Sequence, residues 1–377
     1  MGQIKFSIVI SVYSKIPDLR RCLLALRVQL EKRADSEVVI VNDGGQPDVE
    51  EAVKQALSGM KAHYFFVEHG GPAKARNLGI RNSKGEIIIF LDADAVPQEN
   101  WLDAFTQAWE RAGQTEGIGG YIAIDPKDSI ICRVSSCYCN WFLEQSCNEE
   151  EAAFLLMGNA SYKREALLNI DGFDENFREA AGEDRDLNLR LLQNGCKLKI
   201  DKNIKVYHDK TVTLFNFIQR HFLQGRMAYK LRDKYPSLKK MPLRAYLSFY
   251  KNLRQGCRGL FEISLGCILF MAAQALTACG YLQAAFIGFF SRKGSQMPIT
   301  PRLDINLGYI CNNNCLFCYF LGRKKECVNI DGKKARDIML QAKRSGIKVF
   351  EVTGGEPALR KDIVELVSFA SGKLGIK

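Results

Sequence analysis

The sequence predicts an α/β fold: a mostly parallel sheet covered by helices over residues 1–232, then an apolar helical stretch, then the first β/α units of a second domain. Three observations carry this. Short β-branched apolar runs alternate with helical patterns up to residue 210; residues 263–291 hold no charged side chain; and a strand, a cysteine cluster and a helix follow Pro298 and Pro301. Alternation of this kind favours a parallel sheet with helices on its faces. The uncharged run of 29 residues exceeds the roughly 20 needed to cross a bilayer. The expected domains are therefore 1–232, a basic linker with a membrane-associated helix over 233–300, and 301–377.

In chain order, the first strand is expected over 6–12, directly after Lys5. That run is too short for a secretory leader, so the thirteen cysteines are expected as reduced thiols or metal ligands and not as a disulfide framework. Asp18 is placed to cap a helix over 19–30, where Leu19, Leu23, Leu26 and Leu30 share a face. Further strands are expected over 37–41, 63–67 and 86–91, with helices after Pro72 and over 101–111. Ligands of such sheets bind beyond the carboxyl ends of the strands, which directs attention to Asn42-Asp43-Gly44-Gly45 and Asp92-Ala93-Asp94.

Composition excludes collagen-like and wholly disordered classes, since 47% of the chain is hydrophobic. The net charge of +11 is local: residues 1–200 carry 23 basic and 30 acidic side chains, whereas residues 201–260 carry 14 and 3. A polybasic segment beside an apolar one is attracted to anionic lipid heads. A membrane surface is thus the expected partner, with a buried helical hairpin of a soluble protein as the alternative. No base-reading motif accompanies the basic stretch, so nucleic acid is not expected.

Two carboxylates one residue apart, Asp92 and Asp94, can share a divalent metal with a diphosphate; Mg²⁺ and Mn²⁺ favour such oxygen ligands. Alone the pattern is weak. It gains weight from Asp43 before two glycines, from the turn Gly70-Gly71-Pro72 entering a helix that carries Arg76 and Asn77, from Met157-Gly158-Asn159, and from Gly182-Glu183-Asp184-Arg185-Asp186 opening another helix. In order and spacing these motifs, over about residues 4–232, resemble the inverting family 2 glycosyltransferases, whose GT-A fold is a Rossmann-like nucleotide-sugar-binding domain. The resemblance implies a nucleotide-sugar donor. It places Asp43, Arg76 and Asp92 on the donor, Asp94 on a metal (Mg²⁺ or Mn²⁺), and Asp184 as catalytic base. It also points to His208 as a further metal ligand, with a structural histidine as the alternative. Glu183 and Asp184 would also be favourable as plain helix-start acids. The family often has Asp-Asp-Gly-Ser where this chain has Asn42-Asp43-Gly44-Gly45. A lipid-linked or glycan acceptor is implied, and the absence of Q-x-x-R-W after Gln219 favours adding few sugars over extruding a polymer. Arg220 and Arg226 are open between an acceptor phosphate and a solvated face. Cys132, Cys137, Cys139 and Cys147 match no familiar zinc spacing and read as partly buried thiols.

The second domain opens with Cys311, Cys315 and Cys318 in a CxxxCxxC, and Gly354-Gly355-Glu356-Pro357 follows a strand-like run. Three thiolates on one loop can hold three irons of a [4Fe–4S] cluster. Together the two motifs resemble radical S-adenosylmethionine enzymes, with a zinc knuckle as the alternative. By resemblance the cysteines bind the cluster, and Gly354, Gly355, Glu356 and Pro357 bind S-adenosylmethionine. Such enzymes use a six-unit β/α barrel, which at ~30 residues per unit needs about 180 residues. Only 66 follow Cys311, so the expectation is an incomplete module, inactive alone, whose remainder is carried by a separate chain or is missing from the sequence.

Both cofactor chemistries belong on the cytoplasmic face of the cell membrane. Gly280 near the middle of the apolar run suggests a hairpin of two short segments. The whole chain reads as a membrane-associated glycosyltransferase with an appended radical module. The alternatives are a radical enzyme of a glycolipid or modified-sugar pathway with the transferase as accessory, and a non-catalytic sugar-nucleotide-binding scaffold.

Overall fold

The computed structural model of the protein describes residues 4–13, 16–147, 151–179, 181–208, 212–238, 241–294, 302–307, 330–345, 347, 349–353 and 359–375. They fall into two compact units, Met1–Ile287 and Gly288–Lys377.

The first unit opens with β1 (Phe6–Val12), α1 (Ile16–Leu30), β2 (Ser36–Asp43), α2 (Asp48–Ala56), β3 (Ala62–Val67), α3 (Pro72–Asn82) and β4 (Ile87–Leu91). Strands β3, β2, β1 and β4 lie side by side in that order, all parallel. Every residue of β4 is buried. Both faces of a parallel sheet are covered, so such a strand reads as an unbroken apolar run. Helix α1 buries Leu19, Leu23, Leu26 and Leu30. It starts at Ile16, so Asp18 lies in its first turn instead of capping it, still favourable to the positive helix end and paired with Arg21.

The chain continues through β5 (Ala95–Pro97), α4 (Trp101–Glu110), β6 (Gly117–Ala123), α5 (Ile130–Gln145), β7 (Asn159–Lys163), α6 (Arg164–Leu168), α7 (Glu183–Gln193) and β8 (Leu198–His208). The completed sheet has eight strands in the order β3-β2-β1-β4-β7-β6-β8-β5. Strand β7 is antiparallel to both neighbours and β5 is antiparallel to β8, so the sheet is mixed. Leu23, Trp101 and Phe105 fill one face, and Ile80, Leu167 and Leu191 the other.

Three helices close the unit: α8 (Leu214–Lys234), α9 (Leu243–Gly256) and α10 (Gly259–Gly294). A separate core of Trp141, Phe249, Leu253 and Phe270 binds α5, α9 and α10, with Phe249 stacked on Phe270 at 4.0 Å. The hairpin expected at Gly280 is not formed: α10 is one continuous helix of 36 residues. Gly280 serves a close approach instead. A Cβ there would meet the Phe222 carbonyl oxygen at 2.0 Å, and one on Gly225 would meet the Thr277 carbonyl oxygen at 2.0 Å. Small residues let two helix backbones touch, and a lone glycine costs a long helix only about 1 kcal/mol.

In the second unit β9 (Arg302–Asn306) and β10 (Val349–Thr353) pair in parallel, with α11 (Gly332–Arg344) between them in sequence and α12 (Ile363–Ser368) after them. Leu307, Ala335, Met339 and Leu366 form its core. The Asp331 side chain caps α11 by accepting from the Lys334 amide at 2.8 Å. Cys311, Cys315, Cys318, Gly354, Gly355, Glu356 and Pro357 lie outside the described residues.

Candidate active site

A cleft of about 470 Å³ opens at the carboxyl ends of β1 and β4 and is walled by α5, α7 and α8. Asp92, Asp94, His208, Arg76, Glu183 and Asp184 all line it. Six residues singled out from the sequence thus meet in one place.

The metal end is set by strand register. Asp92 and Asp94 follow β4, and β5 begins at Ala95, which pairs with His208 across the antiparallel β5–β8 edge. The imidazole Nε2 therefore lies 3.3 Å from Asp92 Oδ2 and 3.4 Å from Asp94 Oδ1. Ligand atoms of the three residues lie within 4.8 Å of one another, the one such His/Cys/Asp/Glu group among the described residues. Two carboxylates and an imidazole fit a divalent ion; the carboxylates suit Mg²⁺ or Mn²⁺, and the nitrogen ligand favours the softer of the two. Burial alone would raise the Asp92 carboxyl, but the His208 hydrogen bond and the Arg76 guanidinium hold it well below the usual carboxylate range. Burial opposes charge on His208 too, yet Asp94 and Asp92 raise its pKa.

Arg76 joins the two halves of the site. It is buried on α3, with Nη2 3.2 Å from Asp92 Oδ1 and Nη1 2.8 Å from Glu183 Oε1. Its guanidinium is thus engaged by protein carboxylates that the sequence did not pair with it. At the other half, Gly182 takes a φ of +91° immediately before α7, a backbone conformation open chiefly to glycine. The two acids that follow enter the cleft wall. Burial, then the charge of Asp184, push Glu183 up to about 7, against the pull of Arg76. Burial also raises the Asp184 carboxyl, against Arg185 and the Arg185 amide, from which Oδ1 accepts at 2.7 Å.

Asp43 stands apart. Its carboxylate accepts from the Gly70 and Gly71 amides at 2.9 and 3.1 Å, with His69 Nδ1 at 3.0 Å. It is buried and is not among the described lining of the cleft. What it does structurally is fix the turn that starts α3. Tyr13, whose ring lies 4.4 Å from that of His69, is the residue from this corner that reaches the cleft. Its position just after β1 was the available sequence signal, and it was not singled out. Arg220 of α8 also lines the cleft, with Nη1 3.3 Å from Ser135 Oγ. Cys132, Cys137, Cys139 and Cys147 are free thiols, and Cys132 and Cys139 face the cleft.

Comparisons with known proteins bear on the family and the fold. Residues 7–170 match the profile described as "Glycosyl transferase family 2", and residues 305–377 match "Radical SAM superfamily". The pre-mycofactocin glycosyltransferase of Mycobacterium tuberculosis strain H37Rv is 26% identical over 241 residues, covering 61% of this chain and 48% of that protein. The hyaluronan synthase of Pasteurella multocida is 25% identical over 263 residues, covering 61% of this chain and 27% of that one. This chain thus spans about half the length of the curated relatives it matches, or less. The mannosyltransferase PcManGT from Pyrobaculum calidifontis, solved with GDP-Man and Mn²⁺, superposes with a TM-score of 0.53 at 18% identity over 78% of this chain and 88% of that one. The fold of the first unit is therefore that of a GT-A transferase.

Proposed function

From the match of residues 7–170 to glycosyl transferase family 2 and of residues 305–377 to the radical SAM superfamily, we propose that the chain moves a sugar from a nucleotide-sugar donor to a hydroxyl of a membrane-associated acceptor. The observation that carries this is the convergence of Asp94, His208 and Asp184 on one cleft. Asp92, Asp94 and His208 would hold Mn²⁺ or Mg²⁺, which when bound acts as a Lewis acid on the departing diphosphate. Arg76 keeps Asp92 and Glu183 in place from the inside of the fold.

Asp184 takes the proton from the acceptor oxygen as that oxygen bonds to the anomeric carbon. Burial raises its carboxyl, which strengthens the carboxylate as a base. The bond to the nucleotide breaks as the new one forms, with attack on the face opposite the leaving group, so the anomeric centre inverts. Arg220 and the apolar wall of Cys139, Phe142 and Met227 suit an acceptor that is both anionic and lipid-linked.

Helix α10 supports the membrane reading. Over Gly259–Phe289 it is long and apolar enough to cross a bilayer, and only 22% of its most apolar window is buried by protein. We place the chain on the cytoplasmic face, where nucleotide sugars are made available. The second unit's β9–α11–β10 pairing suits the opening of a radical module that takes a [4Fe–4S] cluster on Cys311, Cys315 and Cys318 and S-adenosylmethionine at Gly354, Gly355, Glu356 and Pro357.

The test is turnover of a nucleotide-sugar panel with Mn²⁺ and a lipid extract, read by release of nucleoside diphosphate. Asp184→Asn should lose transfer by about 10²–10⁴-fold, the worth of a positioned base, and still bind nucleotide. Near-normal turnover in that variant removes Asp184 from its role.

A further inference from the structure

Helix α9 carries two faces of opposite character. Ala245, Phe249, Asn252 and Leu253 are buried, and Phe249 and Leu253 sit in the core they share with Trp141 and Phe270. Arg244, Leu247, Tyr250, Lys251 and Arg254 are exposed. These five lie within one arc at the spacing of successive helical turns, and α9 contains no acidic residue. Glu144 reaches the helix, but on its buried side, where it accepts from Asn252 Nδ2 at 2.9 Å.

Exposure within the arc is unusual for its composition. Leu247 is 75% exposed and Tyr250 47%. After α9, Arg258 is exposed, and Leu260 and Phe261 at the start of α10 are each 80% exposed. The nearby acid, Glu262, is already engaged by Arg133 at 2.7 Å and by the Arg258 amide. A stripe that alternates cations with a leucine and a tyrosine, followed in sequence by a helix uncharged over 263–291, matches the layer where lipid heads meet acyl chains.

We infer that α9 lies in the headgroup layer of an anionic bilayer, with Leu247 and Tyr250 dipping below the heads and Arg244, Lys251 and Arg254 contacting lipid phosphates. This rests on the membrane reading of α10 but adds a distinct property, selectivity for negative lipid. Each cation held near such a surface contributes about fivefold to partitioning, and the contribution is screened by salt.

The full chain is floated with phosphatidylcholine vesicles and with vesicles containing phosphatidylglycerol, at low and high salt. The expected result is flotation with both, tighter with the anionic vesicles by roughly tenfold or more, with that excess removed by salt or by Arg244→Gln/Lys251→Gln/Arg254→Gln. Equal binding to both vesicles, or an excess that survives in the triple variant, overturns the role of α9 and leaves α10 standing. Flotation with neither vesicle overturns both. Unchanged thermal unfolding of the triple variant, whose substitutions all face outward, guards against a folding artefact.

Discussion

Glu183 is a buried carboxyl beside another acid, and its environment makes a prediction. Burial raises its folded-state pKa from 4.5 to about 7, so the folded protein holds a proton there that the unfolded chain releases. The sign follows from linkage: the stabilisation is complete below 4.5 and is lost as pH rises through about 7. His208 and Asp184 are raised as well and drive a fall in the same direction, so the wild-type slope alone does not identify Glu183. The comparison does. Glu183→Gln should flatten thermal stability across that window relative to wild type without abolishing the remaining slope; parallel curves would remove Glu183 as the titrating group. Individual residues were unevenly legible. Asp92, Asp94 and Asp184 announced themselves by following a strand or opening a helix. The engagement of Arg76 by Glu183, 107 positions away, had no local signature, nor did the three donors that occupy Asp43.

Among elements, α10 shows how one residue type can be read two ways. Gly280 was legible as a possible break, because glycine weakens helices, but its use depends on a partner that sequence periodicity does not display. The Phe222 carbonyl lies where a Cβ would be. Gly280→Leu should therefore force α8 and α10 apart and cost about 1–3 kcal/mol, as overpacking does. Denaturant unfolding in detergent would read this as a lower midpoint, and an unchanged midpoint would mean that the two helices do not depend on the contact. The first four strands were predictable to within a residue or two because each is a short run rich in β-branched or aromatic residues, buried in β1, β2 and β4 and half-buried in β3 at the sheet edge. Strands β5 and β7 were not, since β5 has three residues and β7 carries the polar sequence Asn159-Ala160-Ser161-Tyr162-Lys163. Both owe their existence to neighbours in the sheet and little to their own propensity.

At the scale of the whole molecule, the two units have separate cores, one around the eight-stranded sheet and one around Leu307, Met339 and Leu366. The two chemistries should accordingly be separable by substitution. Cys311→Ser/Cys315→Ser/Cys318→Ser is expected to abolish iron–sulfur absorbance after anaerobic reconstitution and to leave nucleotide-sugar turnover unchanged; a parallel loss of turnover would show the units to be functionally linked. In the sequence the charge-free run and the prolines interrupt an otherwise regular alternation, whereas the two units divide at Ile287/Gly288, within α10. The docking of α9 on α5 was not, because it is decided by Trp141 meeting Phe249 across a long loop of sequence.

The Ala95–His208 pair has a further consequence. It belongs to the outermost ladder, where strands fray most readily, and a one-residue slip would turn the imidazole toward the opposite side. A bound ion would then behave as a clasp, coupling the firmness of that border to occupancy. Amide protons of residues 204–208 should trade with deuterium more slowly when Mn²⁺ is supplied, and the slowing should vanish in His208→Ala.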